Sequence, residues 1–76
     1  MNISRLKDLR EDYDLTQKEV ADILHTTQQQ YSKYELGIML IPIDKLNLLA
    51  DYYETTVDYL IGRSNIKKPY TEKQRI

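Results

Sequence analysis

Gln28 and Gln29 are the hydrogen-bonding side chains best placed for recognition chemistry, because both come directly after Thr27. Threonine is a preferred helix cap, so Thr27 predicts a helix start with both amides in its first turn. A glutamine amide donates and accepts at once, which matches the N6 and N7 atoms of adenine in the DNA major groove, and the Thr27 methyl group can contact a thymine methyl. A glutamine run otherwise indicates a solvated helix surface. Its place beside the cap favours base reading.

An earlier helix start is indicated by Thr16 and Glu19. They have capping-box spacing, in which the threonine hydroxyl and the glutamate carboxylate each accept from the other residue's backbone N–H. Val20, Ala21 and Leu24 then fall on one apolar face. The sequence therefore predicts a helix over residues 17–24.

The connection between these two helices consists of His25 and Thr26. A connection this short makes the helices cross steeply, and the small Ala21 side chain allows a close approach. His25 is the single histidine of a chain without cysteine, so a metal site or a general base would lack accompanying groups. We interpret it as a turn residue with positive φ, a conformation in which histidine is enriched.

The second helix is predicted over residues 28–36. Tyr31 and Tyr34 share its inward face, and Gly37 is the residue type that adopts the left-handed conformation beyond a helix end. The two helices and their tight turn form a predicted helix-turn-helix unit.

Further helices are predicted on both sides of this unit. Apolar spacing indicates a first helix that ends near residues 13–14, Pro42 begins a fourth, and Thr56 caps a short fifth that Gly62 ends. Their predicted inward residues are Ile3, Leu6, Leu9 and Arg10, then Leu46, Leu49, Ala50 and Tyr53, then Val57, Leu60 and Ile61. The predicted fold class is all-α, a compact five-helix domain over residues 1–62.

Composition narrows the function classes. The chain has 76 residues and no cysteine, so one small domain without disulfides is expected. No apolar run is long enough to cross a membrane, which predicts a cytoplasmic protein. With one histidine and no glycine-rich phosphate loop, the sequence predicts no enzyme, no cofactor and no metal site.

Charge divides the chain into two parts. Residues 1–62 hold six Lys/Arg and eleven Asp/Glu, a net charge of −5, whereas residues 63–76 hold five Lys/Arg and one Glu, a net charge of +4. DNA-binding domains are usually basic, so the acidic residues are expected to face away from DNA; they are Asp8, Glu11, Asp12, Asp14 and Asp22. Residues 63–76 are predicted to be a mobile basic tail.

Two blocks of the sequence together resemble the Xre/Cro/C1 family of bacterial and phage helix-turn-helix repressors, over roughly residues 3–62. The first block comprises residues 15–17, 19–21, 28–29, 32–35 and 37, and the second comprises Pro42, Leu46, 49–53, 56–60 and Gly62. The segment 26–29 is especially similar to that of lambdoid phage repressors. The resemblance implies a lambda-repressor-like fold that inserts the first turn of its recognition helix into the major groove, a docking geometry described for such repressors.

The resemblance also implies roles for single residues. Gln17 matches the family glutamine that binds a phosphate and braces the recognition helix, while Ser32 and Lys33 lie near bases or backbone. Arg10 and Glu35 match a pair that ties the first and third helices together. The predicted DNA-binding residues are therefore Gln17, Thr27, Gln28, Gln29, Ser32 and Lys33.

The loop after Gly37 departs from the family pattern. Relatives that bind phosphates through this loop have basic residues there, whereas this chain has Ile38, Met39, Leu40, Ile41 and Ile43. One turn cannot bury so many apolar residues, so part of the run is expected in the core and the remainder on a partner surface.

These features predict sequence-specific binding to double-stranded DNA. The predicted protein is a transcriptional regulator that acts as a repressor and binds a near-palindromic operator as a homodimer. The alternative is a protein-interaction module, an antitoxin or a phage adaptor, which uses the same fold to hold a protein partner.

Overall fold

A computed structural model describes residues 3–67, and this part of the chain contains five α-helices. They are α1 (Ser4–Asp12), α2 (Gln17–Ile23), α3 (Gln28–Leu36), α4 (Ile43–Tyr52) and α5 (Val57–Leu60). The predicted all-α fold class and the five-helix architecture are confirmed. Within residues 3–67, none of these helices is both long enough and apolar enough to span a bilayer.

Threonine caps fix the starts of three helices. The Thr16 hydroxyl accepts from the Glu19 N–H at 3.1 Å, and the Glu19 carboxylate accepts from the Thr16 N–H at 2.8 Å, so the predicted capping box is present. The Thr27 hydroxyl accepts from the Gln30 N–H at 3.1 Å, and Thr56 caps α5 in the same way. Such caps satisfy N–H groups that have no partner within the helix, and so define where each helix begins.

All five helices end in the same way: one residue, one or two positions after the last helical residue, has a left-handed backbone conformation. The residues with positive φ there are Asp14 (57°), His25 (57°), Gly37 (76°), Glu54 (54°) and Gly62 (80°). After α2, the His25 N–H donates to Asp22 and the Thr26 N–H donates to Ala21, which is the Schellman arrangement. The predicted turn role of His25 is thus confirmed, whereas the left-handed Asp14 and Glu54 were not predicted.

The hydrophobic core draws on every helix. It consists of Leu6, Leu9, Val20, Ala21, Leu24, Tyr31, Tyr34, Ile41, Leu46, Leu49, Ala50, Tyr53 and Leu60. Helix α2 packs against α3, α4 packs against α5, and α1 contacts both α3 and α5. The core therefore holds α3 between α1 and α2 and leaves its remaining side exposed.

The segment after α5 contacts the helical domain. Arg5 donates from Nη1 to the Tyr59 carbonyl at 2.9 Å and to the Ser64 carbonyl, and from Nη2 to Asn65 at 3.0 Å. Lys67 Nζ lies 4.0 Å from an Asp12 carboxylate oxygen. Residues 63–67, the first part of the predicted tail, are therefore bonded to the domain. The rest of the predicted tail, residues 68–76, lies outside the described residues.

Candidate nucleic-acid interface

The first turn of α3 exposes two unengaged amides. The side chains of Gln28 and Gln29 are exposed and form no hydrogen bond with the part of the chain that the structure describes. Gln30 differs, because its amide Nε2 donates to the Tyr34 hydroxyl at 3.3 Å and its side chain is half-buried. The run of three glutamines therefore presents two free amides to solvent and one that is used within the fold.

Thr27 holds this turn in place. Its hydroxyl is occupied as the cap of α3, so its methyl group is the part left for an outside contact. The residue is exposed and has an extended backbone with φ −87° and ψ 158°. The cap therefore positions the neighbouring Gln28 and Gln29 and leaves their amides free.

One surface depression brings together most of the predicted DNA-binding residues. It is lined by Gln17, Gln28, Gln29, Ser32, Lys33, Leu36 and Ile38. Thr27 is not among these lining residues. The depression contains one cation, Lys33, and no carboxylate among the described residues that line it. Local charge therefore suits an anionic ligand although the domain as a whole is acidic.

Leu36 and Ile38 are the lining residues that sequence reasoning did not assign to this surface. Their residue types gave no signal for DNA contact. Their place follows from the fold, because the left-handed Gly37 turns the chain back beside the last turn of α3.

The inward side of α3 is organised around the Glu35 carboxylate. Arg10 donates to it from Nε at 2.6 Å and from Nη2 at 3.3 Å, which is a bidentate ion pair. Gln17 Nε2 donates at 3.1 Å, and the Tyr31 hydroxyl donates at 2.6 Å. One carboxylate on α3 therefore binds side chains from α1, α2 and α3 itself.

The ionisation of this cluster follows from its contacts. Burial acts to raise the pKa of Glu35, but hydrogen bonds from Arg10, Tyr31 and Gln17 outweigh it and lower that pKa below its usual value. Burial, with the bond to Glu35, raises the pKa of the Tyr31 hydroxyl, which therefore stays protonated. The ionised carboxylate is the form that accepts all of these hydrogen bonds.

Gln17 thus makes one of its two expected contacts. Its amide braces α3 through Glu35, as the resemblance implied. The residue also begins α2 and lines the depression beside Gln28. A backbone N–H at a helix start favours an anion, so the predicted phosphate role is compatible with this position.

The acidic residues of α1 lie on its outward side. Asp8, Glu11 and Asp12 are exposed, whereas Leu6 and Leu9 of the same helix are buried. None of the three is among the residues that line the depression.

The apolar run after α3 is mostly exposed. Ile41 is buried, whereas Leu40 is 78% exposed and Ile38 is 70% exposed. We call the exposed residues of this run, together with Leu36 at the end of α3, the apolar patch; it consists of Leu36, Ile38, Met39, Leu40 and Ile43. The predicted division of this run between core and surface is confirmed.

Comparison with protein families identifies the whole helical unit. A family model described as helix-turn-helix matches residues 6–60, which extend from α1 to the end of α5. The chain belongs to this helix-turn-helix family. The resemblance to Xre/Cro/C1-type regulators is thereby confirmed, and the family implies DNA binding and regulation of transcription.

Several curated relatives of this helix-turn-helix chain come from Bacillus subtilis (strain 168). It is 32% identical over 76 residues to the "uncharacterized HTH-type transcriptional regulator YobD", covering 100% of this chain and 68% of the relative. It is 35% identical over 68 residues to the HTH-type transcriptional regulator AnsR, covering 90% of this chain and 59% of AnsR. It is 34% identical over 64 residues to the HTH-type transcriptional regulator ImmR, covering 84% of this chain and 50% of ImmR. The chain therefore spans one half to about two thirds of these regulators.

A solved structure has the same fold. The crystal structure of a transcriptional regulator from Listeria innocua superposes with a TM-score of 0.76 at 22% identity, covering 96% of this chain and 66% of that one. At this identity the likeness shows the fold alone.

Proposed function

We propose that this chain binds double-stranded DNA in a sequence-specific manner and represses transcription from a near-palindromic operator as a homodimer. The observation that carries the proposal is the pair of free, exposed amides of Gln28 and Gln29 on the first turn of α3. A free amide can donate to and accept from one adenine edge at once. No catalytic step is part of this function.

Each residue of the depression has a role in the proposed complex. Gln28 reads adenine through N6 and N7, Gln29 contacts a neighbouring base, and the Thr27 methyl group contacts a thymine methyl. Gln17 binds a phosphate at the start of α2, where the helix dipole favours an anion. Ser32 and Lys33 contact the backbone or a base edge beside them.

The domain organisation is also proposed. Residues 1–62 form the DNA-binding unit, which acts in the cytoplasm, and residues 63–76 form a basic extension of it. Two copies on one operator would place their recognition helices in adjacent major grooves about 34 Å apart.

Selection from a random duplex pool tests this proposal. The full chain is incubated with the pool at moderate salt, bound duplexes are recovered, and a variant carrying Gln28→Ala and Gln29→Ala serves as the matched control. We expect the wild type to enrich one motif in two inverted halves, and the control to enrich it weakly or not at all. Recovery of unrelated sequences by the wild type would contradict sequence-specific binding.

A second candidate function is a protein-interaction module, such as an antitoxin or a phage adaptor. The apolar patch and the net charge of −5 over residues 1–62 favour it. This candidate predicts no retention of duplex DNA even at low salt, where phosphate attraction is strongest. A mobility shift with random duplex at low salt therefore separates the two functions.

A further inference from the structure

A contact between Tyr13 and the end of α4 brings two acidic stretches of the chain together. The Tyr13 hydroxyl donates to the Tyr53 carbonyl at 3.0 Å. The Tyr13 ring centroid lies 5.0 Å from that of Tyr53 and 6.2 Å from that of Tyr52. The end of α1 therefore lies beside the end of α4.

Exposed acidic side chains accompany this contact. The two stretches hold six carboxylates, all of them exposed: Asp8, Glu11, Asp12, Asp14, Asp51 and Glu54. Tyr13 is 40% exposed and Tyr52 is 43% exposed. We call these eight residues the acidic tyrosine face. None of the eight lines the depression that contains Gln28 and Gln29.

The carboxylates of this face lack counter-charge. Within residues 3–67, Asp12 is the one member of the six that forms an ion pair, and its partner is Lys67. Asp8 lies three positions before Glu11 and four before Asp12, the spacings at which like charges on a helix repel. Lys7, the exposed cation of α1, forms no ion pair in the described part of the chain. The face therefore favours a cationic occupant.

The segment after α5 leads the chain to this face. Arg5 holds its start through the Ser64 carbonyl. At its end, the Thr55 hydroxyl donates to the Lys67 carbonyl, and Lys67 Nζ lies 4.0 Å from an Asp12 carboxylate oxygen. The last described residue is thus held at the acidic tyrosine face through both its backbone and its side chain.

We propose that residues 68–76, the basic segment, dock on the acidic tyrosine face of the same molecule. The basic segment follows directly from the residue that is held there. It contains three Lys/Arg and one Glu, a net charge of +2. Its charge is therefore complementary to the face at which it begins. Docking of this kind does not depend on DNA binding by α3.

The reach of the basic segment covers the face. Lys73 and Arg75 follow Lys67 by six and eight residues. Six residues span up to about 20 Å when extended. Asp8 lies only about 6 Å from Asp12 along the axis of α1. Both cations can therefore reach the carboxylates that have no partner among the described residues.

The exposed tyrosine rings offer a second kind of contact. A lysine or arginine cation is attracted to the face of a tyrosine ring within about 6 Å of its centroid. The domain already contains one such contact, since the Arg5 guanidinium carbon lies 4.0 Å from the Tyr59 ring centroid. Tyr13 and Tyr52 present the same type of ring to the basic segment.

Docking balances the charge of the domain. The net charge is −5 over residues 1–62 and −1 over the whole chain. An anionic ligand of the depression therefore meets a less negative body when the basic segment is docked. Exposed ion pairs are individually weak and are screened by salt. The segment therefore docks reversibly, and salt releases it.

A spin label on the full chain tests the position of the basic segment. The chain has no cysteine, so Gln74→Cys creates a single attachment site for a nitroxide. The nitroxide broadens the amide NMR signals of residues near it, and the same protein with the label reduced is the reference. Spectra are recorded at low salt and at about 1 M salt, where the Debye length is about 3 Å.

Two further labelled proteins test the role of charge. Asp8→Asn with Glu11→Gln removes two carboxylates of the face. Asp22→Asn with Asp44→Asn removes two exposed carboxylates outside the face and is the matched control, because the change in net charge is the same. The amide spectrum verifies that each protein is folded, and the salt comparison needs no substitution in the face.

At low salt we expect the greatest broadening at Asp8, Tyr13 and Tyr52, and much less at Gln28 and Gln29. High salt and the face variant should each reduce the broadening of the face to the level seen at Gln28. The control variant should behave like the labelled protein that carries Gln74→Cys alone.

Three other results would overturn the proposal. Greatest broadening at Gln28 and Gln29 would place the basic segment beside the depression, and equal broadening over the whole surface would show that it does not dock. Broadening of the face that survives both high salt and the face variant would exclude charge as its cause. A mixture of labelled protein with unlabelled, isotope-enriched protein should show no broadening of the face, since broadening there would mean that the segment binds a second molecule.

Discussion

The two sides of α3 differ in how their side chains are held. On the inward side, Glu35 is engaged by Arg10, Gln17 and Tyr31, and its side chain is 4% exposed. On the outward side, Gln28 and Gln29 have no hydrogen-bond partner among residues 3–67. The inward side therefore fixes where the helix lies, and the outward side leaves its donors and acceptors free for a ligand. Changes on the inward side should alter stability, while changes on the outward side should alter recognition.

The largest expected effect is the loss of the Glu35 carboxylate. Glu35→Ala leaves the Arg10 guanidinium, which is 13% exposed, without its counter-charge. Removing one partner of a buried pair costs about 3–5 kcal/mol, so the free energy of unfolding measured in urea should fall by that amount. Lys33→Ala, at an exposed position on the same helix, should change it by less than about 0.5 kcal/mol. Similar losses in both variants would contradict the division between the two sides.

Two buried tyrosines sharpen this comparison. Tyr31 and Tyr53 are 0% and 1% exposed, but only the Tyr31 hydroxyl bonds to Glu35, while the buried Tyr53 hydroxyl has no partner within residues 3–67. A hydrogen bond to a charged group contributes about 1.5–3 kcal/mol, so Tyr31→Phe should destabilise the fold by that amount. Tyr53→Phe should leave stability unchanged or raise it by about 1 kcal/mol. If Tyr31→Phe and Tyr53→Phe destabilise the fold equally in thermal melts, the hydrogen bond from Tyr31 to Glu35 does not add to stability.

An outward substitution should act on DNA recognition alone. Gln28→Ala is expected to weaken binding to the selected operator by about 1–3 kcal/mol, because one amide contact to a base is lost. Affinity for random duplex and the thermal midpoint should stay nearly constant. Lys18→Ala, whose ammonium lies 3.8 Å from Asp22 outside the depression, is the control. An equal loss on operator and random DNA would assign Gln28 to backbone contact.

The smallest expected effect is the pH dependence that comes from Glu35. Its folded pKa lies below its unfolded value, so its contribution to stability is present above the unfolded pKa and is lost as pH falls through the folded pKa. Glu35→Gln lacks this contribution. The difference in thermal midpoint between wild type and variant should therefore shrink as pH is lowered from 7 toward 3. A difference that stays constant would show that ionisation of Glu35 does not stabilise the fold.

Local sequence signals predicted the helices well. The helix predicted over residues 28–36 is observed as Gln28–Leu36, and the one predicted over 17–24 is observed as Gln17–Ile23 with Leu24 as its cap. Caps and apolar spacing act within a few residues, so the sequence displays them directly. The inward residues of α4 were predicted for the same reason.

Contacts between distant residues were harder to predict. The bonds from Arg5 to residues 64 and 65 join parts of the chain 59 and 60 positions apart, and they depend on how the segment after α5 packs against α1. The different environments of Gln30 and its two neighbours likewise follow from helix position beside Tyr34, since all three residues are glutamine. The resemblance to repressors did indicate the Arg10–Glu35 pair and the bracing role of Gln17, and both are confirmed. The assignment of DNA-contact residues remains a prediction.

The most direct test of the central claim replaces single atoms of the operator. Each adenine of the selected site is exchanged for 7-deazaadenine, in which the N7 acceptor becomes a C–H group, and binding by wild type and Gln28→Ala is measured. We predict that at one adenine in each half-site the exchange costs the wild type about 1–3 kcal/mol and costs Gln28→Ala almost nothing, because the amide that bonds to N7 is absent. If every exchange affects both proteins equally, Gln28 does not read adenine and the free amides of α3 do not determine the operator.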